Sequence, residues 1–206
     1  MDTPSKYRSA DERRAETVRA VVSMAAEQNP SSITTAAIAE RMQVSQGALF
    51  RHFPTKEAIF EAVIGWVAER ILSRVDAAIS AAISPTAALH AVFMTHIQFV
   101  VEHPGVPRML FGELQHARLT APKRMAQGLI ARYTQRLALI MDSGKANGEF
   151  DPKLDTAAAA SLFIGSIQGL VMQSLLLGDT QYMATQAPPS FALILRAIER
   201  THSCHD

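Results

Sequence analysis

The polar residues with the most distinctive spacing lie between Thr34 and Lys56. The stretch 33–53 reads Ile-Thr-Thr-Ala-Ala-Ile-Ala-Glu-Arg-Met-Gln-Val-Ser-Gln-Gly-Ala-Leu-Phe-Arg-His-Phe. Ser45, Gln46, Arg51 and His52 leave one side of a short helix free while Leu49 points inward. A glutamine carboxamide can pair with adenine through two hydrogen bonds, and an arginine can pair with guanine or a phosphate. Lys56 opens a following helix, where its ammonium and the free N–H groups could both meet a phosphate. Upstream, Lys6, Arg8, Arg13 and Arg14 form a basic stretch that could lie along a nucleic-acid backbone or in a minor groove. Residues 1–56 hold eight basic and six acidic residues, so a single copy would bind a polyanion feebly at physiological salt.

Those side chains need two short helices to present them. One is expected over 35–42 and one over 45–52, either side of Gln43-Val44-Ser45. Thr34 or Thr35 can cap the first and Ser45 the second. Ile38, Ala39, Val44 and Leu49 supply small to medium apolar contacts, and Ala39 lets the backbones approach. This is the geometry of a helix-turn-helix, whose second helix enters the major groove. Plainer readings remain open at this level. Any helical protein contains short helices joined by a turn. His52 could simply pack against the first helix, Gly47 could only permit close backbone approach, and Lys56-Glu57 could be a solvated helix start, with Glu57 favouring the helix dipole.

The rest of the chain reads as helical throughout. Apolar residues make up 48% of its 206 residues and charged residues 19%, which is material for a packed core and excludes a mostly disordered chain. Periods near 3.6 predict about nine helices, near 10–28, 35–42, 45–52, 55–82, 85–102, 105–116, 122–146, 154–177 and 189–201, with a break across Gly178 to Pro189. The net charge is +1, so no global excess points to a polyanion. The only cysteine, Cys204, excludes an intrachain disulfide, and a reducing cytoplasm fits best. The first residues carry no apolar run of a secretory signal. The longest apolar stretches are interrupted by Gln, Ser and Gly before about 18 residues, so no membrane partner is expected.

Thr34-Thr35 through Ile38-Ala39, then Val44-Ser45-Gln46-Gly47-Ala48-Leu49-Phe50-Arg51-His52-Phe53-Pro54-Thr55-Lys56-Glu57-Ala58, resembles the DNA-binding signature of TetR-family transcriptional regulators. The match spans about residues 10–64. The resemblance implies an all-α fold: an N-terminal three-helix helix-turn-helix domain over 1–56, then a larger helical effector-binding and dimerisation domain over 57–206. It places the recognition helix at Ser45–His52, with Gln46, Gly47 and Arg51 toward base edges or adjacent phosphates. Thr35, His52 and Lys56 match phosphate-contact positions. Phe50 stands where the family most often has tyrosine, and a phenyl ring cannot donate to a phosphate. Gln43 stands where the family often has a turn glycine; positive φ there would cost glutamine on the order of 1 kcal/mol.

The resemblance also implies partners: double-stranded operator DNA, a small-molecule effector and a second copy of the chain. Ala157 to Ser161, Gly165, Ser166 and Gly169 offer a small-residue face that a partner helix could approach closely, and the family pairs its last two helices across a two-fold axis. Such a homodimer would read two half-sites about 34–36 Å apart. The middle helices could enclose an apolar cavity, with His96, Phe99, His103, Phe111, Gln135, Phe163, Gln168 and Met172 as candidate effector contacts. The same Met and Phe spacing also suits plain core. His96 and His103 share a helical face but lack a third ligand, and His202, Cys204 and His205 fit a frayed terminus, so no metal or cofactor is expected. No segment offers a nucleophile beside a base, a phosphate loop or paired carboxylates, so no catalytic residue is expected. The expected mechanism is a repressor that leaves a palindromic operator when an effector favours a state in which the fourth helix has swung. An activator or effector-independent regulator is the alternative, with an all-helical enzyme or interaction module behind it.

Overall fold

The structure, a computed structural model, describes residues 9–200. Among them the chain forms α1 (Ala10–Glu27), a 3₁₀ turn (Pro30–Ser32), α2 (Thr35–Arg41), α3 (Gln46–Phe50), α4 (Lys56–Ala81), α5 (Pro85–Glu102), α6 (Gly105–Leu114), α7 (Ala121–Asn147), α8 (Thr156–Leu177) and α9 (Thr180–Ile198). No strand occurs among the described residues; Phe150 and Glu199 form one isolated bridge. The all-α expectation holds, and eight of the nine expected helices recur within two residues at each end.

The chain divides into two compact units, passing between them within α4, between α5 and α6, and within α7. The first unit comprises Met1–Glu69 and His103–Gln127. Ser9 and Glu12 start α1 with a reciprocal capping box, which satisfies two otherwise free N–H groups. Val18, Val21, Val22 and Ala25 recur at 3–4 residue spacing and form its buried face. The start of α6 lies against this helix. A Cβ at Gly105 would sit 2.0 Å from the Val22 carbonyl oxygen and 2.8 Å from the Ala26 nitrogen, so only glycine permits the contact. The packing unit around the two short helices thus includes residues past 56 and takes in 103–127.

The second unit comprises Arg70–Glu102 and Gly128–Asp206. Its core joins α5, α8 and α9. The Phe93 ring meets Phe163 edge-on at 5.2 Å and Phe191 at 5.6 Å, and all three are buried. Each such ring, removed from water, contributes about 2–3 kcal/mol before entropy is charged against it. Arg136 grips both Asp76 oxygens, at 2.6 and 2.9 Å, and Arg74 reaches Glu102 at 2.6 Å.

Two expectations change. The last helix does not start at 189; it begins at Thr180 and runs through Pro188 and Pro189. Asp179 caps it by accepting from the Gln181 N–H at 2.8 Å. Met183, Ala187, Phe191, Ile194 and Ile198 keep one buried stripe on both sides of the prolines, which are themselves exposed. Losing two ladder donors costs less than abandoning that stripe. In α8, Gly165, Ser166, Gln168 and Gly169 do not cut the apolar run as short as expected, and the helix stays unbroken. It has 22 residues, and an 18-residue stretch of it has a mean hydropathy of 1.6, long and apolar enough to cross a membrane by length and composition, although Phe163, Ile164, Ile167 and Val171 are buried in the second unit.

Candidate nucleic-acid interface

Local hydrogen bonds build the two short helices. Thr34 Oγ1 accepts from the Ala37 N–H at 3.1 Å and Ser45 Oγ from the Ala48 N–H at 3.1 Å. These caps satisfy orphan donors, each contributing about 1 kcal/mol. Between the helices the Val44 N–H reaches the Ala39 carbonyl at 3.0 Å. Closing that turn puts Gln43 at φ 55°, in the left-handed region that favours glycine. Of α3 only Leu49 is buried, at 2% exposure, and it anchors the helix from below.

The outward side of α3 then carries Gln46, Gly47, Phe50 and the following Arg51, all exposed, with Ser45 beside them. Phe50 is 41% exposed, a large apolar ring that the protein covers only in part. A Cβ on Gly47 would meet nothing within 4 Å, so close packing inside the chain does not explain that glycine. Gln46 Nε2 donates to Thr35 Oγ1 at 2.9 Å, leaving its carbonyl oxygen available as an acceptor. The Arg51 side chain has no ion pair or hydrogen bond among the described residues.

The flanks are fixed more firmly. Arg14, on α1, donates to the His52 carbonyl at 2.9 Å, and its guanidinium lies 4.6 Å from the centre of the buried Phe53 ring. The spacing of the basic residues marked Arg14 but gave no sign of this tether, which joins residues far apart in sequence. His52 is half-buried. Lys56 Nζ donates to the Ser31 carbonyl at 3.3 Å and lies 5.3 Å from the Phe60 ring centre. Partial burial holds the Lys56 ammonium below the usual lysine pKa. Lys6 and Arg8 lie outside the described residues.

A capped, tilted pair of short helices with one polar face open to solvent is what a major groove admits. Residues 18–63 match the family of bacterial regulatory proteins described as tetR, and residues 117–187 match the tetracyclin repressor-like C-terminal domain. The chain belongs to the TetR family. The two short helices lie within the segment that matches this family of bacterial regulatory proteins. The nucleoid occlusion factor SlmA of Haemophilus influenzae is 30% identical over 141 residues, which is 68% of this chain and 63% of that protein. The chain thus spans less than two thirds of that relative. Two solved structures share the fold. FadR of Bacillus subtilis, in complex with stearoyl-CoA, has a TM-score of 0.80 at 18% identity, covering 90% of this chain and 99% of that one. FadR of Bacillus halodurans, a fatty acid degradation regulator, has a TM-score of 0.81 at 17% identity, covering 93% and 97%.

The residues expected at the nucleic-acid face of this TetR-family chain gather on one unit: Thr35, Ser45, Gln46, Gly47, Phe50, Arg51, His52 and Lys56. The expected effector contacts are divided between the two units. His103 and Phe111 belong to the first unit, with His103 edge-on to Trp66 at 5.2 Å. In the second unit Gln135, Gln168 and Met172 are exposed, while Phe99 and Phe163 are core and His96 bonds the buried Tyr133 hydroxyl at 3.1 Å. Phe99 and Phe163 serve there as packing, and Met172 takes the outer helix faces with the glutamines. No group of three or more metal-binding side chains occurs among the described residues; His202, Cys204 and His205 lie outside them.

Proposed function

We propose that this TetR-family regulator is a homodimeric repressor that holds a palindromic operator and is released by a small-molecule effector. The exposed polar side of α3 above a buried Leu49 carries the reading. Gln46, Gly47 and Arg51 meet base edges or neighbouring phosphates. Ser45, Phe50, Thr35, His52 and Lys56 set the register on the backbone. A second copy supplies the affinity that a surplus of two basic residues in 1–56 cannot.

The face for that copy is supported by exposed apolar residues on the last two helices: Leu162, Met172 and Leu176 on α8 and Leu193 on α9, between 41% and 79% exposed. Small residues Gly165 and Gly169 run between those of α8, and a Cβ on either would meet nothing within 4 Å. An apolar, small-residue face of this kind suits a symmetric helix pair. The relative crystallised with stearoyl-CoA supports an effector for the fold. The effector must favour one of two states, with a coupling of typically about 1–3 kcal/mol.

Selection of bound sequences from random duplex DNA by the purified chain tests the proposal. The expected product is palindromic, with half-site centres about one helical turn apart. A pool with no enriched sequence, or with a single unrepeated half-site, would sink it.

A further inference from the structure

A cleft of about 440 Å³ opens within the first unit, and none of the α3 residues lines it. Its volume lies in the range of small-molecule sites, roughly 300–1,000 Å³. Phe60 and Ile64 from α4 and Met109 from α6 give it an apolar floor; Ile64 and Met109 are 3% and 5% exposed. Gly112 of α6 lines it with no side chain; a Cβ there would lie at ordinary contact distance, 3.8 Å, from Pro30 Cβ, so a larger side chain would take up part of the cleft.

The polar groups of the lining differ in how well they are satisfied. Glu113 already accepts the Thr120 hydroxyl, and His116 Nε2 lies 3.9 Å from it. Glu57 is exposed on the first turn of α4. Lys56 is different. Its ammonium is partly desolvated, has one long hydrogen bond to a neutral carbonyl, and pairs with no carboxylate among the described residues. A cation beside an apolar floor without a counter-ion is a half-built recognition site: an anionic head group would complete it and an attached apolar body would cover the floor.

We propose that this cleft binds an amphipathic carboxylate, its head group on Lys56 Nζ and its apolar body on Phe60, Ile64 and Met109, and that binding withdraws Lys56 from a DNA phosphate. The withdrawal rests on the repressor reading above; the binding does not. One ammonium cannot serve both anions fully, so each occupied subunit loses one phosphate contact. For a dimer the slope of log affinity against log salt becomes shallower by about 1.8, at about 0.9 per contact.

The probes are octanoate, octan-1-ol and octylamine, titrated calorimetrically into the full chain without DNA. Octanoate is expected to bind once per chain, at least tenfold tighter than the alcohol or the amine. Lys56→Gln removes the charge and Gly112→Leu fills the cleft; each is expected to weaken octanoate at least tenfold. A thermal melt shows whether each variant is folded, and if Gly112→Leu is not, Lys56→Gln carries the comparison. Equal binding of octanol, tighter binding of octylamine, no saturable octanoate binding, or unchanged octanoate affinity in a folded variant overturns the site. With a selected duplex, an unchanged salt slope at saturating octanoate overturns the withdrawal of Lys56. A chain that binds octanoate but selects no duplex overturns the repressor reading and leaves the site standing.

Discussion

Gln46 Nε2 donates to Thr35 Oγ1 at 2.9 Å, so the first residue of α3 is latched to the first residue of α2. The latch orients a side chain that would otherwise sample several rotamers in solvent. It also fixes the free amide oxygen as the acceptor presented outward. Thr35→Val should break the latch at a stability cost of about 1 kcal/mol or less, because the bond is exposed. Its larger effect should be on discrimination. Gln46→Ala should lose about 1–3 kcal/mol of preference at one base pair per half-site, and Thr35→Val part of that. Competition between the selected duplex and single-base variants measures it. Preference that survives Gln46→Ala intact at every position would refute a reading role for this residue.

Gly47 separates stability from function. Nothing in the chain lies within 4 Å of a Cβ built there, and the residue sits in a helix, where alanine is favoured over glycine by about 1 kcal/mol. Gly47→Ala should therefore raise the urea midpoint while lowering duplex affinity, since the added methyl points where the groove must come. A variant that is both more stable and binds as tightly would show that the duplex does not approach this point.

Gln43 carries strain that its turn imposes. At φ 55° a residue with a Cβ is disfavoured relative to glycine, and glycine's greater freedom in the unfolded chain offsets part of the gain. Gln43→Gly should stabilise the chain by about 0.5–1 kcal/mol, a rise in Tm of about 1–4 °C for a protein of this size. A lowered Tm would mean that the glutamine side chain makes a compensating contact in solution.

The two short helices were legible because their determinants are local. Thr34 and Ser45 cap within three residues, Leu49 is the one apolar anchor in its turn, and Gln43 departs from a glycine position that does need positive φ. What stayed hidden depends on contacts between distant segments. Gly105 touches the backbone of α1, and no local pattern announces that. Pro188 and Pro189 read as a break, yet the stripe from Met183 to Ile198 outweighs them. Phe163 looked equally suited to a ligand or to core until its edge contact with Phe93 was visible. The cleft on Lys56 draws on the 3₁₀ turn, α4, α6 and the start of α7, segments whose convergence has no signature in any one of them.

His96 gives the second unit a pH dependence of known sign. Its Nδ1 lies 3.1 Å from the Tyr133 hydroxyl, and burial pushes the imidazole from the ordinary 6.5 down to about 4, as it pushes the Tyr133 phenol up. With a folded pKa below the unfolded one, the unfolded chain takes up the proton first as acidity increases. The stability is intact above pH 6.5 and is lost as pH falls from there toward 4, flattening below that. The full shift would amount to about 3 kcal/mol, and the part of the residue that solvent still reaches reduces it to about 1–2 kcal/mol. Urea unfolding between pH 7.5 and 4 should show the difference between the parent and His96→Leu shrinking by that amount across the window, because carboxylates common to both cancel. A difference that stays constant with pH would mean that His96 takes up its proton as readily in the folded chain as in the unfolded one.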